Sequence, residues 1–345
     1  MINIGIVGST GLVGETLIRV LLGHPEAQVT FLGSVSSAGK PIGQALPSLR
    51  GSLDLTCEKP SVKRIIATCD VVFMAGKSPD VMALVPQLLE AGKKVIDIGA
   101  EFRFNSADVY QKWYKNEHLC PELLTRAVYG LPEINREKIR ETDLVANPGC
   151  YATATFLALA PFAANGCLAE GPIPVDAFSG LSGAGRVPSD RNIFVRGNEN
   201  VIGYGLNNHR HGPEIEQELS KLAGRTQRII FLPHTVPLER GIYCTSFVET
   251  REQMSTEEAL SLIRNFYQGE TFIRVIDDPE EIDLQSVRDT NCCDISALAD
   301  PKSRNVVLFS ALDNMIKGAA GQAVQNMNLI GGLEETLGLQ NRKMI

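Results

Sequence analysis

Glycines at positions 8, 11 and 14 lie between an apolar β-type run, Ile4-Gly5-Ile6-Val7, and a stretch with helical apolar spacing over 15–22. No other segment constrains the fold as tightly. Glycine at 8 allows a tight turn, at 11 a close backbone approach to a pyrophosphate, and at 14 close packing of helix on strand. The amides of Ser9, Thr10, Gly11, Leu12 and Val13, with the positive end of the helix dipole, then face an anion. A unit of this kind needs a parallel sheet around it. Further β-type runs at 29–32, 70–74, 94–98 and 143–146 alternate with helical patterns at 80–91 and 106–116. Strands separated by helices predict a doubly wound α/β domain of the Rossmann type.

The second of these strands runs out in Leu32-Gly33-Ser34-Val35-Ser36-Ser37-Ala38-Gly39-Lys40. An NAD-selective site places a carboxylate there for the ribose 2′-hydroxyl. This stretch offers Ser36 and Lys40 and no carboxylate, which suits a 2′-phosphate, so NADP(H) is the expected cofactor. Read without a nucleotide, the same residues would be a solvated loop.

The pattern changes after Pro148-Gly149. Longer strands are expected at 173–178, 228–232, 241–250 and 305–311, with a helix at 256–267 and a closing helical segment from Asn314 to Gly331-Gly332. These describe an α+β second domain. The expected division is 1–149 plus 314–345 for the nucleotide domain and 150–313 for the catalytic and substrate-binding domain. Thirty-three Lys and Arg against forty Asp and Glu give a net charge of −7. With no basic run, nucleic acid and anionic membranes are not expected partners. No apolar stretch reaches the roughly 18–20 residues of a bilayer span. The eight cysteines form no CxxC pair, so reduced thiols and a cytoplasmic location are expected.

One of those cysteines has a distinct setting. In Ala146-Asn147-Pro148-Gly149-Cys150-Tyr151-Ala152-Thr153 a strand is broken and a helical run follows over 153–159. Cys150 therefore falls at or near a helix N-terminus, where the dipole and unbonded amides favour a thiolate. A dinucleotide loop and such a cysteine suggest a thioester or thiohemiacetal route. His209 and His211, two of only five histidines, stand in Asn208-His209-Arg210-His211-Gly212-Pro213-Glu214. On a strand or extended loop they would share one face, and imidazole suits proton exchange with a thiol. His234 is a weaker candidate. Arg103 and Arg240 are candidates for substrate anions, since guanidinium pairs bidentately with carboxylate or phosphate. No fourth ligand accompanies Cys150 and the histidines at a recognisable spacing, so no metal is expected.

Together with Glu101-Phe102-Arg103, Tyr129-Gly130-Leu131-Pro132-Glu133, the segments 179–186, 209–215 and 231–241, and the stretch 313–327, these motifs resemble the N-acetyl-γ-glutamyl-phosphate reductase family, a branch of the semialdehyde dehydrogenases. There are two departures: Ile98-Gly99-Ala100-Glu101 precedes Phe102 where a serine and an aspartate are expected, and Gly212 follows His211 where threonine is common. The resemblance implies a Rossmann-type domain plus an α+β catalytic and dimerisation domain of the semialdehyde dehydrogenase type. It implies that Cys150 attacks the γ-acyl phosphate of N-acetylglutamyl phosphate, releasing phosphate, and that NADPH reduces the thioester to the semialdehyde. His211 would be the base and His209 a substrate or orienting contact. Arg103, Asn147 and Glu214 would lie at the substrate, Ser182 and Gly183 beside the nicotinamide, and Asn314 and Lys317 near the cofactor. A homo-oligomer, dimer or tetramer, is implied. The rivals are a lysine-pathway aminoadipyl-phosphate reductase, aspartate-semialdehyde dehydrogenase (disfavoured by the 209–215 motif), a non-catalytic NADP-binding regulator and a cysteine hydrolase.

Overall fold

The computed structural model describes residues 1–76, 82–189 and 192–340. The chain forms two compact units, Met1–Pro148 with Ala319–Ile345, and Gly149–Gly318. Asn314 and Lys317, which the sequence reading grouped with the first unit, lie in the second.

In the first unit six strands, β1 (Ile2–Val7), β2 (Ala27–Gly33), β3 (Val71–Met74), β4 (Lys94–Asp97), β5 (Val128–Tyr129) and β6 (Leu144–Ala146), form an all-parallel sheet in the order β2-β1-β3-β4-β6-β5. The order reverses between β1 and β3, which makes the carboxyl ends of those strands the expected ligand crevice. Helix α1 (Leu12–Leu22) begins three residues before the apolar period becomes visible in sequence, with Gly11 as its N-cap. Of the helix expected at 80–91, residues 80 and 81 lie outside the described residues; a 3₁₀ turn at Met82–Leu84 leads into Val85–Glu90. Helix α2 (Ala107–Tyr114) starts where Ser106 accepts the Val109 N–H. Helices unseen in sequence include Ile42–Ala45, Val62–Thr68 and α3 (Pro132–Glu141). The closing helix, Gly321–Ile330, returns to this unit: Gln322 and Asn326 donate to the Gly130 carbonyl at 3.0 and 2.9 Å.

The second unit is built on α4 (Cys150–Ala164), whose residues Tyr151 to Ala163 are all buried. A helix apolar on every side belongs inside a core. Ser310 and Tyr267 hydroxyls donate to its Ala154 and Leu157 carbonyls at 2.9 and 2.6 Å. With α5 (His211–Ala223) and α6 (Thr256–Phe266) it packs on a seven-stranded mixed sheet. The strands are β7 (Pro172–Ser179), β8 (Ile202–Gly203), β9 (Arg228–Thr235), β10 (Ile242–Glu249), β11 (Ile273–Val275), β12 (Cys293–Ala299) and β13 (Asn305–Leu312). Their order is β11-β12-β13-β10-β7-β9-β8. Sequence reading missed β8, β11 and β12. On the sheet's other face Phe247, Val307 and Leu298 line up in register across three strands, and Phe247 and Leu298 are each 48% exposed.

Candidate active site and family

Cys150 is the first residue of α4, and Gly149 is its N-cap in extended conformation (φ −70°, ψ 146°). Any L-residue could adopt that backbone; space forbids one. A Cβ at 149 would stand 2.7 Å from Cδ2 and 2.8 Å from Cε1 of His211, and nearer still to Nε2. The imidazole therefore lies against the peptide that carries the cysteine. Gly149 is held from both sides: its N–H donates to Glu214 Oε1 at 2.8 Å, and its carbonyl accepts the Thr153 amide and hydroxyl at 2.8 and 3.1 Å. Gly318 comes in equally close, since a Cβ there would fall 2.7 Å from Cys150 Cβ. Cys150 is partly exposed, as is Cys167; the other six thiols are buried. Burial pushes Cys120 and Cys244 up to about 12 and raises Cys57, Cys167 and Cys292. None of those five starts a helix.

The histidine pair converges, but not on a strand. His211 opens α5 and His209 precedes its N-cap, Arg210. Pro213 falls in the first turn of the helix, where its missing N–H costs nothing, so the segment expected as a strand or extended loop is a helix start. The two rings are 4.7 Å apart and nearly perpendicular. Tyr151, Tyr204 and Phe231 surround His209 at centroid distances of 5.8, 5.4 and 5.6 Å. The Tyr204 hydroxyl donates to Tyr151, whose hydroxyl donates to the His234 carbonyl at 3.0 Å. Neither tyrosine carried a sequence signal. The His234 ring stacks on Phe178 at 5.2 Å, and its Nδ1 lies 3.0 Å from Asp176. Strand alternation puts residue 234 on the face of β9 opposite Phe231, so His234 is not part of this cluster.

Three other expected contacts in this unit have different surroundings. Glu214 is fully buried, and its Oε1 accepts the Gly149 N–H, so it braces the nucleophile's turn. Arg240 is bonded to Asp289 at 3.2 Å. Lys317 is 0% exposed, with its ammonium 5.6 Å from the Phe272 ring centroid. Asn314 fits better: its side chain accepts the Gly241 N–H at 2.7 Å and donates to Ser182 Oγ at 3.0 Å. It ties the short 3₁₀ turn Leu181–Ala184, which contains Gly183, to the β10 entry.

In the first unit the glycine loop follows β1. Gly8 has φ +89°, and a Cβ there would stand 2.6 Å from backbone atoms of Ala75 and Gly76. A Cβ on Gly14 would fall 2.8 Å from Ser9 Cα. These are the close approaches expected of glycine in a dinucleotide loop. The first helical bond runs from Glu15 N–H to the Gly11 carbonyl, leaving the Leu12 and Val13 amides ahead of it at the anion end. Ser9 departs from expectation: its amide and hydroxyl both donate to the Gly33 carbonyl, at 3.0 and 3.1 Å, so it braces the loop. Thr10 Oγ1 pairs with Ser34 Oγ at 2.8 Å. Ser36 and Lys40 are both exposed. The fold also brings Glu58 beside Gly33, but its carboxylate pairs with Arg64 at 3.3 Å.

Arg103 and Asn147 are buried and bonded within the first unit. Arg103 is 7% exposed and donates to the Asn147 and Ile98 carbonyls at 2.8 and 3.1 Å. Asn147 is fully buried and bonded to Ala319 and Asn326. Beside them burial, the Glu101 charge and only partial compensation by Arg103 hold Asp97 well above the usual carboxylate range. Among the described residues no group of His, Cys, Asp and Glu is arranged to hold a metal, and no helix is long and apolar enough to cross a membrane.

A family model described as "Semialdehyde dehydrogenase, NAD binding domain" matches residues 3–142, and one described as "Semialdehyde dehydrogenase, dimerisation domain" matches 150–314. The N-acetyl-gamma-glutamyl-phosphate reductase of Desulforudis audaxviator is 45% identical over 339 residues, 98% of each chain. That of Symbiobacterium thermophilum is 46% identical over 341 residues, 99% of this chain and 98% of its own. The chain belongs to the N-acetyl-gamma-glutamyl-phosphate reductase family. Among solved structures, aspartate semialdehyde dehydrogenase II of Vibrio cholerae aligns with a TM-score of 0.72 at 20% identity, over 96% of this chain and 98% of that one. The Candida albicans enzyme, solved with NADP, aligns with a TM-score of 0.69 at 20% identity over the full length of both. At that identity they establish the shared two-domain fold. The family's NAD(P)-binding domain spans the glycine loop, and its dimerisation domain spans Cys150 and the histidine pair.

Proposed function

We propose that this chain is an NADPH-dependent reductase that converts N-acetyl-L-glutamyl 5-phosphate to N-acetyl-L-glutamate 5-semialdehyde in arginine biosynthesis, with Cys150 as the covalent carrier. The observation that carries the chemistry is the His211 ring packed on Gly149, at the start of the helix that Cys150 opens. The names of the relatives favour this substrate over the aminoadipyl alternative.

His211 takes the Cys150 proton. The sulfur attacks the γ-carbonyl carbon, a C–S bond forms, and the C–O bond to phosphate breaks with its electron pair leaving on inorganic phosphate. When bound, NADPH supplies the hydride that reduces the thioester carbon. The tetrahedral oxyanion then re-forms a carbonyl, the C–S bond breaks, and His211 returns its proton to the departing sulfur. The first intrahelical bond of α4 is Thr153 N–H to Gly149, so the Cys150, Tyr151 and Ala152 amides precede it and face the developing oxyanion. Gly8 and Gly14 let the loop close tightly on the Ala75 and Ser9 backbone, the Leu12 and Val13 amides would hold the pyrophosphate, and Ser36 and Lys40 would hold the 2′-phosphate. Ser182, Gly183 and Asn314 form a second cofactor contact, in this reading, on the catalytic unit.

The apolar sheet face around Phe247 and Leu298 supports a homodimer or a tetramer built from it, and kinship with biosynthetic reductases supports work in the cytoplasm. The test offers N-acetylglutamate semialdehyde, phosphate and NADP⁺ to the purified protein and to Cys150→Ala. Phosphate-dependent absorbance at the reduced-nicotinamide band is expected for the parent alone. No reduction by the parent would leave the binding-regulator reading in place.

A further inference from the structure

Helix α5 begins without a side-chain cap of the usual kind. Its N-cap, Arg210, lies in the αR region and makes no capping bond, and Pro213 has no N–H to place. The first amides go instead to the residue before the cap. His211 N–H donates to His209 Nδ1 at 3.1 Å, and Gly212 N–H donates to the His209 carbonyl at 3.0 Å. A ring nitrogen that accepts from an N–H presents its lone pair, so a neutral His209 carries its proton on Nε2. Tyr151, Tyr204 and Phe231 fix the plane of the ring from three sides.

We propose that His209 is a positioning residue, which acts on the reaction by fixing the start of α5, and hence the His211 ring, through its Nδ1. This rests on the reading of His211 as the acid–base residue. The backbone of His211 sits at the first helical position, and its ring has the Gly149 peptide as one wall. If the first turn of α5 frays, the imidazole swings away from the cysteine without any loss of substrate contacts. The effect therefore falls on kcat and not on KM.

Two variants separate the ring's nitrogens. In His209→Asn the side-chain Oδ1 takes the place of Nδ1 as acceptor, and asparagine is among the better capping residues. In His209→Gln the carboxamide reaches the place of Nε2 and leaves a methylene where Nδ1 was. Both are compared with the parent by steady-state kinetics, with thermal melts confirming that each is folded. The proposal expects His209→Asn to keep kcat near the parent's. It expects His209→Gln to lose on the order of tenfold or more, as for a displaced catalytic group, with KM little changed. The reverse order, equal activity in both, or equal loss in both would overturn it. ¹⁵N NMR of the parent's ring, assigned against His209→Asn, gives a second reading independent of turnover. An acceptor-type Nδ1 with a protonated Nε2 near neutral pH is expected, and the opposite tautomer would overturn the proposal even if the variants behaved as expected. A His211→Asn variant with undiminished kcat would sink the acid–base reading of His211 while leaving the His209 tautomer as measured.

Discussion

Gly149→Ala tests the nucleophile–base geometry without removing a single polar atom. The backbone at 149 is extended and accepts alanine without strain. The added methyl would lie 2.7 Å from Cδ2 of His211 and closer to Nε2, against the 3.4 Å at which such contacts become ordinary. Something must yield, and the ring is the freer partner, because Gly149 is pinned by Glu214 on its amide and Thr153 on its carbonyl. The imidazole is therefore displaced by about 1 Å, and a misplacement of that size costs on the order of 100-fold in rate, roughly 2.7 kcal/mol. Overpacking costs about 1–3 kcal/mol of stability. The assay is phosphate-dependent NADP⁺ reduction at saturating semialdehyde, run well below the variant's melting temperature. A folded Gly149→Ala protein with the parent's kcat would refute the placement of His211 as the group that serves Cys150.

Three further predictions follow from other contacts. Glu214→Ala strands the buried Gly149 N–H and should cost about 1–3 kcal/mol in chemical denaturation, whereas Glu214→Gln, which keeps an acceptor, should cost less; equal midpoints in all three proteins would contradict the bracing role. Gly8→Ala puts a side chain at φ +89° against the Ala75 backbone, so it should raise the KM for NADPH and lower the melting temperature, and unchanged values of both would count against the loop's role. Burial lowers the pKa of His24 from 6.5, with Nε2 bonded to Asn328 at 2.9 Å and Nδ1 accepting from Glu26 N–H at 3.2 Å. The unfolded chain then binds the proton more readily, so this contribution is full above 6.5 and lost as pH falls toward the folded value. His24→Gln should lose less stability than the parent between about pH 7.5 and 5.5; an equal loss would remove His24 from the account.

The glycine loop was legible because glycine spacing and a switch from strand to helical period occur together within fourteen residues. Cys150 was legible because Pro148-Gly149 stops a strand immediately before an apolar helical run. The histidines were placed together for a wrong local reason. Gly212-Pro213 reads as loop, yet proline suits a helix's first turn, and the period that marks α5, Glu214, Ile215, Glu218 and Leu219, includes two buried glutamates that disguise it. Glu214, Asn147, Arg103 and Lys317 are buried by contacts that no local pattern reveals. β12 escaped because Cys-Asp-Ile-Ser-Ala-Leu-Ala lacks the β-branched alternation of an isolated strand, and it forms because β13 and β11 pair with it on both edges. Tyr151 and Tyr204 had no signal beyond being aromatic.

Mass spectrometry of protein mixed with N-acetylglutamyl phosphate in the absence of NADPH, quenched in acid and digested, bears most directly on the covalent route. An N-acetylglutamyl group on the peptide containing Cys150, absent from Cys150→Ala and discharged when NADPH is added before the quench, is the predicted result. A parent enzyme that turns over yet never carries the acyl group on that peptide, or that carries it equally after Cys150→Ala, would contradict it.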